Sequence, residues 1–258
     1  MRALITGASS GIGRELAIIL SEKSYDVVLV ARDEKGLKSV SKLCKTKTYI
    51  EAMDLSDYKN CIKLFNKYKD IDLLVNNAGF GLCGEFINTN LDKELNMIDL
   101  NIKAVHVLTK LYLSSMVKKD NGRILNVASS AAFMPGPLMS TYYSTKSYVY
   151  RLTVAIYEEL RRNKSNVKVS VLCPGPVSTN FNNVADVKFA VKEDDCKEVC
   201  KYAVDKMFKN KLVIIPGISM KIIVFLTRLL PVKLVSKIDY NIQRKKENKW
   251  KRILKDLH

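Results

Sequence analysis

The 258-residue sequence predicts a doubly wound α/β fold, one parallel sheet of about seven strands with helices on both faces. Three observations lead there. Short apolar runs alternate with segments of helical periodicity as far as residue 215. Several of those runs are continuous in Val, Ile and Leu, as expected for strands covered on both sides. No internal repeat or low-complexity linker divides the chain, and its length suits one large core.

The elements follow in order. A strand at 2–6 runs directly into a glycine-rich turn and a helix at 11–22. A strand at 26–31 (DVVLVA) precedes a helix at 34–44, and one at 48–53 precedes a helix at 57–68. The strand at 72–76 (DLLVN) is followed by a long helix at 91–118. Strands at 123–128 (RILNVA), 167–173 (VKVSVLC) and 212–215 complete the sheet, with helices at 142–162 and 193–208 between them. The pattern changes after Pro216. Residues 218–230 are apolar, interrupted by Lys221 and Arg228 and ended by Pro231. That stretch is too short and too charged to span a bilayer. Residues 1–217 are therefore read as the domain, and 218–258 as its basic, partly apolar helical extension.

Composition narrows the function classes. An apolar fraction of 47% excludes a mainly disordered chain. The net charge of +17 is concentrated in 206–258, where 14 Lys/Arg face three acids, Asp239, Glu247 and Asp256. Such a block attracts anionic lipid, nucleic acid or acidic partners, or is simply a solvated surface. No nucleic-acid module is recognisable. The six cysteines form no CxxC pair and have no histidine cluster beside them, so no metal site is expected. The first strand begins at once with no signal peptide ahead of it, and the expectation is a cytoplasmic protein with free thiols.

Thr6-Gly7-Ala8-Ser9-Ser10-Gly11-Ile12-Gly13 lies between the first strand and the first helix. Glycines there allow a tight turn, close approach of backbone to a pyrophosphate and packing of helix on strand. The helix N-terminus adds free N–H groups and the positive end of its dipole. This is the arrangement of a Rossmann-type dinucleotide site. At the end of the second strand, an acid would bind a ribose 2′-hydroxyl and repel a 2′-phosphate. Ala31 stands there, followed by Arg32, whose guanidinium suits a phosphate. NADP(H) is therefore expected over NAD(H). Further along, Tyr142 and Lys146 form YxxxK, one helical turn apart on one face, with the amine beside the phenol. A neighbouring positive charge lowers a phenol's pKa and fits it for acid–base catalysis.

With its TGxxxGxG loop and YxxxK pair, the sequence resembles the short-chain dehydrogenase/reductase family over about residues 3–217. The resemblance implies roles for further positions. Asp54 and Leu55, after the third strand, would meet the adenine. Asn76-Asn77-Ala78-Gly79 would line the ribose and steady the sheet. Pro174-Gly175-Pro176-Val177-Ser178-Thr179 would meet the nicotinamide, through Pro174, Gly175, Val177 and Thr179. Ser129, thirteen residues before Tyr142, has the spacing of the family's catalytic serine, and Asn101 matches its fourth catalytic residue, whose carbonyl holds a water. The loop contacts would come from Gly7, Ser9, Ser10, Gly11, Ile12 and Gly13.

The implied activity is interconversion of a carbonyl and a secondary alcohol by hydride transfer, acting as a reductase. Ser129 and Tyr142 would bind the oxygen, Tyr142 would protonate it, and Lys146 would resupply the proton. Substrate choice is expected from 80–86, 133–139 and the loop after Thr179, through Leu82, Phe86, Phe133, Met134, Leu138, Met139, Phe181 and Val184, with Glu85 and Asp186 at the margins. That set favours an apolar or acyl-type substrate. Members of the family usually form homodimers or homotetramers through the helices at 91–118 and 142–162. Two other readings stand beside this one: a non-catalytic NADP(H)-binding sensor, which retention of Tyr142 and Lys146 opposes, and a membrane-surface protein acting through 218–258.

Overall fold

The computed structural model describes residues 1–178 and 194–255, with side chains as far as Arg244. Seven parallel strands form one sheet in the order β3-β2-β1-β4-β5-β6-β7. They are β1 (Arg2–Thr6), β2 (Asp26–Ala31), β3 (Thr48–Ala52), β4 (Leu73–Asn76), β5 (Arg123–Val127), β6 (Lys168–Leu172) and β7 (Val213–Ile214). The helices are α1 (Gly11–Glu22), α2 (Glu34–Ser41), α3 (Tyr58–Lys67), α4 (Leu91–Ile98), α5 (Val105–Lys118), α6 (Ser140–Arg162), α7 (Cys196–Phe208), α8 (Ile218–Leu229) and α9 (Val232–Lys255).

Strand residues alternate between two cores. Ala3, Ile5, Val27, Leu29, Leu73 and Val75 pack against Leu16 and Leu20 of α1, Leu37 of α2 and Val204 of α7. Leu4, Val28, Val30 and Leu74 pack against Leu64 of α3, Leu108 and Tyr112 of α5 and Leu160 of α6. Both faces are covered, which explains the unbroken apolar runs in the sequence. From β1 the chain winds outward through β2 to β3, then returns to place β4 on the other side of β1. The reversal leaves a crevice beyond the carboxyl ends of β1 and β4, the usual ligand position in such sheets.

The long helix expected at 91–118 is present with one modification. Between α4 and α5, Asp99–Ala104 forms a π-helical turn. The wider turn carries Asn101, whose side chain bonds outside the helix. Under the sheet a buried polar ladder ties strands to helices: Asn76 Nδ2 donates to Asn126 Oδ1 at 2.8 Å, and Asn126 Nδ2 donates to Thr153 Oγ1 of α6 at 2.9 Å. After β7, α8 and α9 fold back over the carboxyl end of the sheet. Among the described residues no helix is long and apolar enough to cross a membrane.

Candidate active site

A cavity of about 740 Å³ opens beyond the carboxyl ends of β1, β2, β4 and β5. That size is ordinary for a small-molecule site. Of the positions singled out in the sequence, Gly7, Ser9, Ser10, Gly11, Ile12, Arg32, Asp54, Leu55, Asn77, Ala78, Gly79, Ser129, Tyr142, Lys146, Pro174, Gly175 and Val177 all line it. Thr179, Phe181, Val184 and Asp186 lie outside the described residues.

One end of the cavity is a backbone cradle. Gly7 has φ +66°, and a Cβ there would come within 2.9 Å of Ala78 Cα. Asn77 clamps the loop, donating from Nδ2 to Thr6 O at 3.0 Å and to Gly7 O at 3.2 Å. Asp33, Asp57, Asn90 and Asp195 cap α2, α3, α4 and α7 by accepting bonds from first-turn N–H groups. At α1, by contrast, Ser10 makes no side-chain cap. The first N–H groups of α1 therefore face the cradle, a ready site for a phosphate. Gly13 does not line the cavity, which corrects its reading as a contact residue. A Cβ at Gly13 would stand 2.2 Å from Gly7 O, so this glycine serves the packing of α1 on the loop.

Beside the cradle, Arg32 has a side chain 65% exposed, with Nη1 3.8 Å from Asp54 Oδ2. So open and long a pair contributes little and leaves the guanidinium available to an anion. Asp33 turns its carboxylate to Gly36 N as the cap of α2. Asp54 also accepts from Ser56 N and Oγ at 2.9 and 2.8 Å.

At the deep end, β5 delivers Ser129 and α6 delivers Tyr142 and Lys146. Ser129 Oγ accepts from Ala131 N at 3.2 Å, and its hydroxyl stands near enough to the Tyr142 phenol to favour the phenolate. Lys146 Nζ donates to Val127 O at 3.0 Å and lies 5.8 Å from the centre of the Tyr142 ring. Asn101 does not line the cavity. Its Nδ2 donates to Phe80 O at 2.9 Å and to Thr145 Oγ1 at 3.0 Å, and its Oδ1 accepts from Phe80 N at 3.1 Å. The side chain thus fixes the chain after Gly79 against α6. The expectation that the ammonium acidifies the phenol is not met. Burial pushes Tyr142 up to about 12, with the Ser129 hydroxyl pulling the other way. Both groups have left water, and that penalty dominates.

Burial also lowers Lys146 to about 8. Between about pH 8 and 10.5 the unfolded chain holds this proton more tightly than the native one, so the cost of burying the charge is full below pH 8 and fades as pH rises. Lys146→Met is therefore expected to stabilise the ligand-free protein at pH 7 by about 2 kcal/mol, allowing for the lost bond to Val127. Denaturant titrations at a series of pH values measure it; a variant weaker than wild type at pH 7 refutes the cost.

The substrate-facing wall differs from expectation. Met134 and Met139 line it, but Leu82, Phe86, Phe133 and Leu138 do not. Phe86 is exposed, and Phe133 packs edge-on against Tyr150 with ring centres 4.7 Å apart. Their places are taken by the C-terminal extension: Met220 and Ile223 of α8 and Asp239, Ile242 and Gln243 of α9. Met220 is seated against Gly175, where a Cβ would come within 2.7 Å of its Cε. Asp239 Oδ2 accepts from Gly136 N at 3.1 Å, and Gln243 Nε2 donates to Tyr143 Oη at 2.5 Å. The only hint in the sequence was Val235, Asp239 and Gln243 at helical spacing, opposite a lysine-bearing face.

A family model described as short chain dehydrogenase matches residues 1–188. An uncharacterized oxidoreductase of Staphylococcus epidermidis is 32% identical over 188 residues, covering 71% of this chain and 81% of that protein. A very-long-chain 3-oxoacyl-CoA reductase of Ajellomyces capsulatus is 34% identical over 171 residues, covering 62% of this chain and 50% of that protein. Among solved structures, a short-chain dehydrogenase from Sphingobium yanoikuyae in complex with NADPH is similar at a TM-score of 0.78 and 27% identity, covering 84% of this chain and 88% of that one.

Proposed function

The chain belongs to the short-chain dehydrogenase family, and on that premise we propose that it is an NADP(H)-dependent reductase of apolar or acyl-type carbonyl compounds. One observation carries this reading: Ser129 and Tyr142, with the Lys146 amine beside them, line the same cavity as the glycine cradle. The cradle fits a dinucleotide, because a Cβ at Gly7 would strike the Ala78 backbone and the α1 N-terminus has no side-chain cap. Gly7, Ser9, Ser10, Gly11 and Ile12 would hold the pyrophosphate, Asp54 and Leu55 the adenine end, Asn77, Ala78 and Gly79 the ribose, and Pro174, Gly175, Val177 and Thr179 the nicotinamide. Gly13 would act only by packing.

When bound, the reduced nicotinamide supplies the hydride. Ser129 and Tyr142 donate hydrogen bonds to the carbonyl oxygen and stabilise the charge growing there. Tyr142 then gives up its proton to that oxygen. A phenol held near 12 stays protonated at neutral pH, which suits an acid and the reductive direction. Lys146 stands behind the phenol as the proton's source. Asn101 is a positioning residue, locking Phe80 and Thr145 around Lys146. Methionines and isoleucines on the outer wall favour an apolar substrate body, and the fungal 3-oxoacyl-CoA reductase lends support to an acyl chain.

Consumption of NADPH and of NADH with ketones and 3-oxoacyl thioesters of increasing chain length tests the reading. Activity should rise with apolar length and favour NADPH. Absence of turnover on the whole panel by a protein that binds NADPH would overturn it.

Arg32 carries the cofactor preference. Arg32→Ala is expected to weaken NADPH by about 2 kcal/mol, roughly thirtyfold, through loss of charge-assisted bonds. NADH affinity should be unchanged. Titration of each nucleotide by fluorescence measures both, and an unaltered ratio removes Arg32 from the role. The free cysteines accord with the cytoplasm as the working compartment. Assembly through α4, α5 and α6 as a dimer or tetramer is the arrangement proposed for the oligomer.

A further inference from the structure

We propose that α8 and α9 dock this protein on an anionic lipid bilayer, lying in the interface without crossing it. The argument begins with α8. Only Met220 and Val224 are buried on it. At 100° per residue, Ile218, Ile222, Phe225 and Leu229 form a second stripe roughly opposite the buried one. All four are exposed, Ile218 by 77% and Phe225 by 60%. A surface helix ordinarily turns polar residues outward; a helix apolar on both sides has a second environment to satisfy.

α9 repeats the pattern. Val235, Asp239 and Gln243 face inward, while Leu234, Ile238 and Ile242 form an adjoining exposed apolar stripe. Two successive helices thus each carry a row of exposed apolar residues, more than the scattered single ones that need no partner.

Charge identifies the partner. Lys221 and Arg228 flank the α8 stripe on one side, and Lys233, Lys237 and Arg244 lie on the outer side of α9; all are exposed. None of them forms an ion pair among the described residues. Lys221 donates to Tyr202 Oη at 3.1 Å and Arg228 to Tyr150 Oη at 3.4 Å, neutral partners that leave both charges uncompensated, and apolar side chains bordered by such cations complement acyl chains beneath anionic headgroups. A second copy of this chain is disfavoured, because it would bring identical cationic borders together on a protein of net charge +17.

The position of the surface has a consequence for the cavity. Ile223 and Ile242 are exposed and also line the cavity. Docking therefore places one wall of the cavity at the lipid interface. This consequence, unlike the docking itself, rests on the carbonyl-reductase reading.

Co-sedimentation of the full chain with vesicles tests the proposal. Phosphatidylcholine vesicles are compared with vesicles of phosphatidylcholine and phosphatidylglycerol. Two variants accompany the wild type: Ile222→Ser/Phe225→Ser/Leu229→Ser and Lys221→Glu/Lys233→Glu/Lys237→Glu. Unchanged NADPH binding, or unchanged thermal unfolding, shows that each is folded. The expected result is binding to the anionic vesicles that weakens with salt and falls at least tenfold in both variants. Failure of the wild type to sediment at low salt, or equal sedimentation of the apolar variant, overturns the proposal. So does a wild-type dimer that the same apolar variant converts to monomer, since the face would then belong to a second copy. NADPH turnover without vesicles is measured alongside, so that loss of docking and failure of the enzymatic reading remain separate outcomes.

Discussion

Tyr142→Phe is expected to lower kcat for carbonyl reduction by about a thousandfold, the usual order for removing a positioned general acid. The substitution deletes one oxygen and keeps the ring. Tyr142 packs with Met97, Ala131, Met139 and Tyr143, and a phenyl group maintains those contacts. What disappears is the hydroxyl beside Ser129. Stability should change by about 1 kcal/mol, the ordinary worth of one hydrogen bond. The nucleotide cradle is built from other elements, so NADPH affinity should stay within about threefold of wild type; a larger loss would show that the phenol is a binding group. Steady-state kinetics, NADPH titration and thermal unfolding on one preparation separate these effects. A kcat within tenfold of wild type would remove Tyr142 from the chemistry. A raised KM with unchanged kcat would make the hydroxyl a mere substrate contact.

The second large effect is structural. Gly13→Ala is expected to destabilise the protein by about 4 kcal/mol or more, beyond ordinary overpacking, because the obstacle is backbone. The added carbon would lie 2.2 Å from Gly7 O and 2.5 Å from Asn77 Nδ2. Neither can yield easily. Gly7 O accepts from Asn77, and Asn77 is held in turn by Thr6. Relief requires α1 to lift from the end of β1, which opens the core around Leu16 and Leu20 and spoils the cradle. Thermal unfolding should show a fall in Tm of at least several degrees, together with loss of NADPH binding in whatever folds. A variant melting with wild type would mean that α1 can shift at little cost. Gly13 never touches the cavity, so this loss of binding would arise purely from packing.

Much of this architecture was legible residue by residue. The Val/Ile/Leu runs of β1, β2, β4 and β5 suit strands covered on both faces, and the spacing between them left room for crossover helices. The glycine loop, Arg32 and the YxxxK pair carry their chemistry locally. Their positions at strand ends and on one helical face bring them to one cavity once the sheet is wound. The ionisation of Tyr142 and Lys146 was not local. Spacing shows the two groups to be neighbours, but the balance between attraction and lost hydration depends on how completely α6, β5 and the loops shut out water.

The π-helical turn at Asn101 likewise answers to Phe80 and Thr145, partners distant in sequence. The C-terminal extension shows the division most sharply. Its apolar residues and lysines are plain in the sequence, and so is their helical period. Which stripe of α8 and α9 turns inward is set by contacts with Gly175, Gly136 and Tyr143, from 45 to 103 residues away along the chain. Periodicity describes a helix about its own axis; only packing against the rest of the molecule selects the face that meets the cavity and the face left to the surroundings.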